Sequence, residues 1–147
     1  MTEQFSVLGF DNDFRFLSNF YPSPVRYLGK VYPSVEHAYQ AAKTPIASER
    51  KAIRDEKSAG RAKRMGRKVT LRKDWENVKL DVMRSLILQK FQDKDLMDLL
   101  LATGHAYLEE ANSWGDTYWG VSANHLGKIL MSVRAELALK HQKLFTP

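Results

Sequence analysis

The chain has 147 residues, 44% of them hydrophobic and 11% aromatic, with 23 Lys+Arg against 17 Asp+Glu and no cysteine. That length suits one domain, and the apolar content can build a buried core, which excludes an intrinsically disordered chain. The lack of cysteine excludes disulfides, a thiolate nucleophile and any thiolate-held zinc or iron–sulfur centre. The longest apolar runs, such as Leu99-Leu100-Leu101-Ala102, are too short to cross a bilayer. Met1-Thr2-Glu3-Gln4 has no basic segment followed by an apolar one, so a soluble cytoplasmic protein is expected.

The net charge of +6 is unevenly spread. Residues 50–79 hold 12 basic and 4 acidic side chains, +8 on balance, and the rest of the chain holds 11 basic and 13 acidic ones. A local basic field points to a polyanionic partner such as phosphate, DNA or RNA; a solvated helix face accounts for it equally well.

In chain order, Phe5 to Phe10 is apolar and extended, and Asp11-Asn12-Asp13 signals a turn. Val25–Leu28 and Val31-Tyr32 flank Gly29-Lys30, which predicts a hairpin. After Pro33 the period becomes helical. Ser34 is the cap, Val35, Ala38 and Ala42 form the apolar stripe, and the helix stops before Pro45. Ser48 is read as the cap of a second helix reaching about Gly60, followed by a turn and an extended piece, Val69-Thr70-Leu71. Asp74 is read as the cap of the longest apolar stripe, Trp75, Val78, Val82, Met83, Leu86, Ile87 and Phe91. A short helix over about Asp95–Thr103 ends at Gly104, and residues 105–111 are extended. A polar, aromatic loop over 112–123 leads into a last helix that starts near Asn124 and buries Leu126, Ile129, Leu130, Val133 and Leu137. Helix covers about half the chain, so the expected architecture is α+β, a single and predominantly helical domain.

Four constellations can carry chemistry. In Ser34–Lys43, Glu36, Gln40 and Lys43 share one helical face, because spacings of three, four and seven residues stack. A carboxylate there can serve as general acid or base, and a desolvated amine as a nucleophile. The helix dipole alone also favours Glu36 near the start and Lys43 near the end. His37 has no second histidine at metal-ligand spacing and is read as structural or as a surface residue. In Trp114-Gly115-Asp116-Thr117-Tyr118-Trp119-Gly120, the rings can stack on a base and Asp116 can hold ribose hydroxyls, or the rings can plug the core. Asn124-His125-Leu126-Gly127-Lys128 places free helix N–H groups beside a glycine, a weak anion-site signal, and Asn124 also serves simply as a cap. In Phe14–Pro22, Arg15 can pair with a phosphate while Phe20 and its neighbours stack on a ring, or the aromatics pack their own turn.

Together these segments resemble the NADAR (YbiA-like) family. The resemblance begins in Phe16-Leu17-Ser18-Asn19-Phe20-Tyr21-Pro22 and Ser34–Lys43. It continues through Gly66-Arg67, Trp75, Met83 and Lys90-Phe91. It closes with Thr103-Gly104, Leu108-Glu109-Glu110-Ala111, Asp116, Trp119-Gly120 and Asn124–Met131. The blocks keep their order from about residue 8 to 137. What the resemblance implies is cleavage of an N-glycosidic bond between ribose C1′ and a nitrogen. The substrate would be ADP-ribosylated guanine in nucleic acid or nucleotide, or a phosphorylated ribosylamine intermediate of riboflavin synthesis. It implies functional positions at Glu36, Trp75, Asp116 and Trp119, with Lys43 as the candidate amine.

The expectation is therefore a glycosidase with no cofactor, no metal and no membrane partner. Glu36, Lys43 and Asp116 are its catalytic candidates. Arg15, Ser18, Asn19, Phe20, Gln40, Trp75, Trp119, Gly120, Asn124 and Gly127 are its substrate-binding candidates. Two routes stay open: stabilisation of an oxocarbenium ion by carboxylates, or a Schiff base formed by Lys43. The reading of another class is a non-catalytic module that binds ADP-ribose or nucleic acid through residues 50–79.

Overall fold

The computed structural model describes residues 5–111 and 116–145, with side chains up to Gln142. In chain order the elements are β1 (Ser6–Leu8), a 3₁₀ turn (Asn12–Leu17), β2 (Val25–Tyr27), β3 (Lys30–Tyr32), α1 (Val35–Ala42), α2 (Ala47–Asp55), α3 (Ala59–Gly66), α4 (Trp75–Lys90), α5 (Lys94–Ala102), β4 (Tyr107–Glu109) and α6 (His125–Phe145). The architecture is α+β and mainly helical, as expected. The elements group into two compact units, residues 19–90 and residues 1–18 with 91–147.

In the unit of residues 19–90, β2 and β3 form an antiparallel hairpin in the register Val25↔Tyr32 and Tyr27↔Lys30. The turn is Leu28-Gly29, one residue earlier than the sequence suggested, with φ of 47° and 77°. Two left-handed residues make the tight turn whose twist matches paired strands, and Gly29 takes its half without steric cost. All eight residues of α1 are buried, and the helix packs on α2, α3, α4 and β2. Ala38, Ala41 and Ala42 are fully buried, so small side chains let the neighbouring helices approach closely. Ser34 caps α1 by accepting the His37 N–H at 3.2 Å.

The expected single helix from Ser48 to Gly60 is instead two helices. Ile46 stands at the cap position of α2, with no side-chain cap, and Ser58 caps α3 by accepting the Arg61 N–H at 3.2 Å. Gly60 is the second residue of α3 rather than a terminator. Val69–Leu71 joins no strand; the Thr70 N–H donates instead to the Glu49 carboxylate at 3.0 and 3.1 Å. The Asp74 carboxylate takes the Arg72 guanidinium in a two-pronged pair at 2.6 and 3.0 Å, and only its backbone carbonyl accepts from the first turn of α4. Along α4, Trp75, Met83, Leu86 and Ile87 are buried, while Val78 and Val82 are half-buried.

In the other unit, β1 pairs in parallel with β4, Val7 opposite Leu108, and both of those side chains are buried. The Asp11–Asp13 turn winds into the 3₁₀ turn, which buries Phe16 and Leu17, and Phe16 meets Phe91 edge-on at 6.5 Å. Asp93 caps α5 by accepting the Leu96 N–H at 3.0 Å. Helix α6 buries Leu126, Leu130, Val133 and Leu137 and half-buries Ile129. Its buried Arg134 donates to Thr103 Oγ1 and to the Ala106 carbonyl, both at 2.8 Å, joining the end of α5 to the start of β4.

Candidate functional site

Helix α1 brings Glu36, Gln40 and Lys43 onto one face, as the spacing predicts. Gln40 Nε2 donates to Glu36 Oε1 at 2.7 Å. Both side chains are more than nine-tenths buried, so this bond holds a carboxylate in a place where an unpaired one would be costly. Gln40 Oε1 has no hydrogen-bond partner among the described residues. The Glu36 N–H donates to the Asn19 carbonyl at 3.1 Å, which fixes Asn19 at the start of the helix. Asn19 is itself buried, and its Nδ2 lies 3.4 Å from Met83 Sδ.

Lys43, one turn further on, is half-buried, with its Nζ 5.7 Å from the centre of the Tyr39 ring. Burial pushes its pKa below the ordinary lysine value. Glu36 opposes the shift, and the positive charges of Arg67, Lys63 and Lys79 add to it. An amine in such a place is neutral more of the time, as a nucleophile must be. Tyr39 in turn packs on Trp75 with ring centres 5.1 Å apart. Trp75 is buried, so it belongs to the core of this unit. Phe20 is 41% exposed, with Lys63 Nζ 5.9 Å from its ring centre.

His37 is structural. Its Nδ1 lies 2.7 Å from Ser34 Oγ, and its Nε2 lies 2.7 Å from the Glu56 carbonyl. A carbonyl only accepts, so Nε2 carries the proton and Nδ1 accepts from the serine. Burial lowers the pKa of the ring.

The remaining candidates lie in the other unit. Asp116 Oδ1 accepts the Tyr118 and Trp119 N–H groups at 3.1 and 2.9 Å, a local turn that holds the start of the aromatic segment. Trp119 is half-buried, edge-on to Tyr118 at 4.8 Å, and Tyr118 packs on His125 at 4.4 Å. Gly120 is buried, and its carbonyl accepts the Asn124 N–H at 2.6 Å. Trp114 and Gly115 lie outside the described residues.

Asn124 does not cap α6 in the usual way. Its φ is 49°, and its side chain donates to Tyr107 Oη at 3.1 Å and the Leu108 carbonyl at 2.9 Å. Gly127 is occupied by packing: a β-carbon there would collide with the Leu108 carbonyl and the Asn124 amide, so its bareness lets α6 press onto β4. Arg15 is exposed within the 3₁₀ turn, and its carbonyl accepts the N–H of the half-buried Ser18 at 2.9 Å.

Three features escaped the sequence reading. Tyr39 bridges Lys43 and Trp75, and its place on the Lys43 side of α1 was there to be seen. Gly66 lies where a β-carbon would coincide with the Gln40 amide, and a lone glycine at a helix end gave no reason to choose it over others. Lys90 is 2% exposed, its Nζ is 5.6 Å from the Tyr21 ring centre, and burial lowers its pKa to about 7. A lysine at the end of a helix carries no signal of burial. Among the described residues no cluster of His, Cys, Asp and Glu can hold a metal, and no helix is long and apolar enough to cross a membrane.

Known proteins resemble the chain throughout this region. A family model described as the NADAR domain matches residues 8–138. The N-glycosidase YbiA of Escherichia coli (strain K12) is 41% identical over 136 residues, covering 88% of this chain and 85% of that protein. An N-glycosidase of Nostoc punctiforme is 40% identical over 132 residues, covering 82% of this chain and 83% of that protein. A riboflavin biosynthesis protein of Vibrio vulnificus is 40% identical over 135 residues, 86% of this chain; the chain spans 36% of that longer protein. The solved NMR structure of E. coli YbiA superposes with a TM-score of 0.84 at 36% identity, covering 100% of this chain and 92% of that one.

Proposed function

This chain belongs to the NADAR family, and on that premise we propose that it is an N-glycosidase that removes ADP-ribose from guanine, in a nucleotide or in nucleic acid. The observation that carries the chemistry is the buried Glu36–Gln40 pair with Lys43 one turn away. Breaking the C1′–N bond sends its electron pair to the base and leaves positive charge on the sugar. A buried carboxylate stabilises that charge far better than one in water. Water then adds to C1′, and its proton goes to the departing base through Glu36 or solvent. In the amine route, Lys43 Nζ displaces the base at C1′. The ribose ring opens to an iminium, and water returns the free lysine and ADP-ribose.

Phe20, beside the α1 site, offers a ring face to the base, and in the other unit Asp116 has the carboxylate to hold a ribose hydroxyl and Trp119 a ring face for stacking. Asn19 and Gln40 hold Glu36 in place. Arg15, Ser18, Gly120, Asn124 and Gly127 complete the binding set, Gly127 by setting the seat of α6 and Trp75 through the Tyr39 stack. The catalytic domain acts in the cytoplasm.

A phosphorylated ribosylamine of riboflavin synthesis is the second reading, favoured by the name of the Vibrio relative. Both are tested by incubating the protein with ADP-ribosylated guanosine and with the ribosylamine 5′-phosphate and measuring the released base. Release from the first alone supports the main reading, and release from the second alone replaces it. No release from either overturns the glycosidase assignment.

A further inference from the structure

The last carbonyls of an α-helix have no partner within the helix. At the end of α1 they find partners in the segments that follow. The Lys43 carbonyl accepts the Arg72 N–H at 2.7 Å, and the Thr44 carbonyl accepts from Arg50 Nη1 at 3.0 Å. Glu49, in the first turn of α2, ties the same segments together. Its Oε1 accepts the Thr44 hydroxyl at 2.9 Å, and its two carboxylate oxygens accept the Thr70 N–H at 3.1 and 3.0 Å. Thr44 Oγ1 also accepts the Ile46 N–H at 3.1 Å, so that side chain is fixed twice. Thr44 is 2% exposed, and a hydroxyl released from Glu49 there would have little water to turn to.

Lys43 is therefore held twice. Its neighbour Thr44 is bound by Glu49, and its own carbonyl is bound by Arg72. Thr70 and Arg72 belong to the link between α3 and α4, which begins at Arg67. The charges that act on the Lys43 amine are Glu36 in α1, Lys63 in α3, Arg67 in this link and Lys79 in α4. Glu49 is not one of them, so it reaches Lys43 through position rather than through charge. The bonds that Glu49 accepts, the Thr70 N–H foremost, hold its pKa below the ordinary glutamate value. The tie is thus fully ionised across the range in which a lysine titrates.

We propose that Glu49 is a positioning residue for Lys43: by tying Thr44 to Thr70 it holds the end of α1 against the link after α3 and so keeps the amine on the face it shares with Glu36. This rests on the reading of Lys43 as an amine of the reaction. Misplacing a reacting group by about 1 Å can cost about 100-fold in rate, so a tie through the neighbouring residue matters to turnover.

The test compares wild type with Glu49→Ala, Glu49→Gln and Thr44→Val. Nitrogen-15 NMR titration of the lysine side chains is the readout that a purely structural role would leave unmoved. Loss of the tie lets water reach the amine and lets Arg67 draw away, so the Lys43 midpoint rises by about 0.5 pH units or more in Glu49→Ala and Thr44→Val. Removing a negative charge would by itself lower that midpoint, so the rise cannot come from the charge of Glu49. On ADP-ribosylated guanosine, kcat falls about 10-fold with KM within about 2-fold of wild type. Glu49→Gln keeps one oxygen able to accept and recovers part of both effects. Thr44→Val leaves Glu49 and its bonds to Thr70 in place, so it decides the matter if Glu49→Ala does not fold. A Lys43 midpoint unchanged or lowered in the folded variants overturns the proposal, whatever their melting temperatures. So does wild-type kcat in them on a substrate that wild type turns over. If wild type turns over neither substrate, the glycosidase reading falls, and the Lys43 midpoint alone decides whether Glu49 positions Lys43.

Discussion

Gly66 of α3 lies against Gln40 of α1 so closely that a β-carbon at residue 66 would occupy the place of the Gln40 amide. The same amide donates to Glu36 at 2.7 Å. The contact between two helices therefore sets the position of a buried carboxylate. Gly66→Ala is expected to lower stability by about 1–3 kcal/mol through overpacking. It should also lower turnover, because Gln40 must leave Glu36. Adding Gln40→Ala opens space for the new methyl group, so thermal unfolding of the double variant should show less destabilisation than the sum of the single changes. Strict additivity would show that the two residues are not coupled.

Glu36→Gln keeps the shape of the side chain and removes its charge. If the carboxylate acts on the sugar or on the leaving base, kcat falls about 10²- to 10⁴-fold. KM changes little, because phosphate and base contacts remain. Steady-state kinetics on ADP-ribosylated guanosine distinguishes this from a binding role, for which KM would rise at nearly constant kcat.

Lys43 carries a pH signature. Burial lowers its pKa, Glu36 raises it, and Arg67, Lys63 and Lys79 lower it. The neutral amine becomes more abundant as pH rises, so a Schiff-base route gives a rising limb whose midpoint lies below the ordinary lysine value. Borohydride added during turnover should trap a covalent adduct with wild type and none with Lys43→Ala. Sustained turnover without a trappable adduct assigns the reaction to the carboxylate route. Nitrogen-15 NMR titration of the lysine side chains should show the Lys43 midpoint moving down in Glu36→Gln and up in Arg67→Ala.

Lys90 predicts a pH dependence of stability. Its folded pKa is about 7, against 10.5 for an ordinary lysine. Between those values the unfolded chain holds a proton that the folded chain has released, so stability rises with pH across that window. Below pH 7 both states are protonated and the benefit is absent. Lys90→Met should lack this component, which is worth up to about 1.4 kcal/mol per pH unit. Urea unfolding at pH 7.5 and 9.5 measures it: the difference between the two pH values should shrink in the variant.

Where local signals were strong, the fold was legible. Ser34 and Pro45 bracket α1, and Gly29 marks the hairpin to within one residue. The face shared by Glu36, Gln40 and Lys43 followed from helical period alone. The break between α2 and α3 was not legible, because Glu56-Lys57-Ser58 contains neither proline nor glycine. What ends α2 there is tertiary: His37, buried in α1, binds the Glu56 carbonyl. Asp74 looked like a cap and was taken instead by Arg72, two residues away. Lys90 looked like a surface charge, since burial of a lysine is decided by what packs around it. The basic segment divides by partner: Lys51 and Arg72 have an acid nearby in sequence, and Arg64, Arg67 and Lys68 pair with no carboxylate among the described residues.

The parallel pairing of β1 with β4 joins Ser6 to Tyr107. During synthesis at about 5–20 residues per second, the first strand waits roughly 5–20 s for its partner to emerge. Residues 19–90, by contrast, form one unbroken stretch whose contacts are complete before that partner exists. On the ribosome the helix bearing Glu36 and Lys43 can thus be seated first, while the N-terminal strand stays unpaired. A nascent chain halted shortly after residue 90 clears the exit tunnel should already resist protease across α1–α4 and remain cleavable before Ser18.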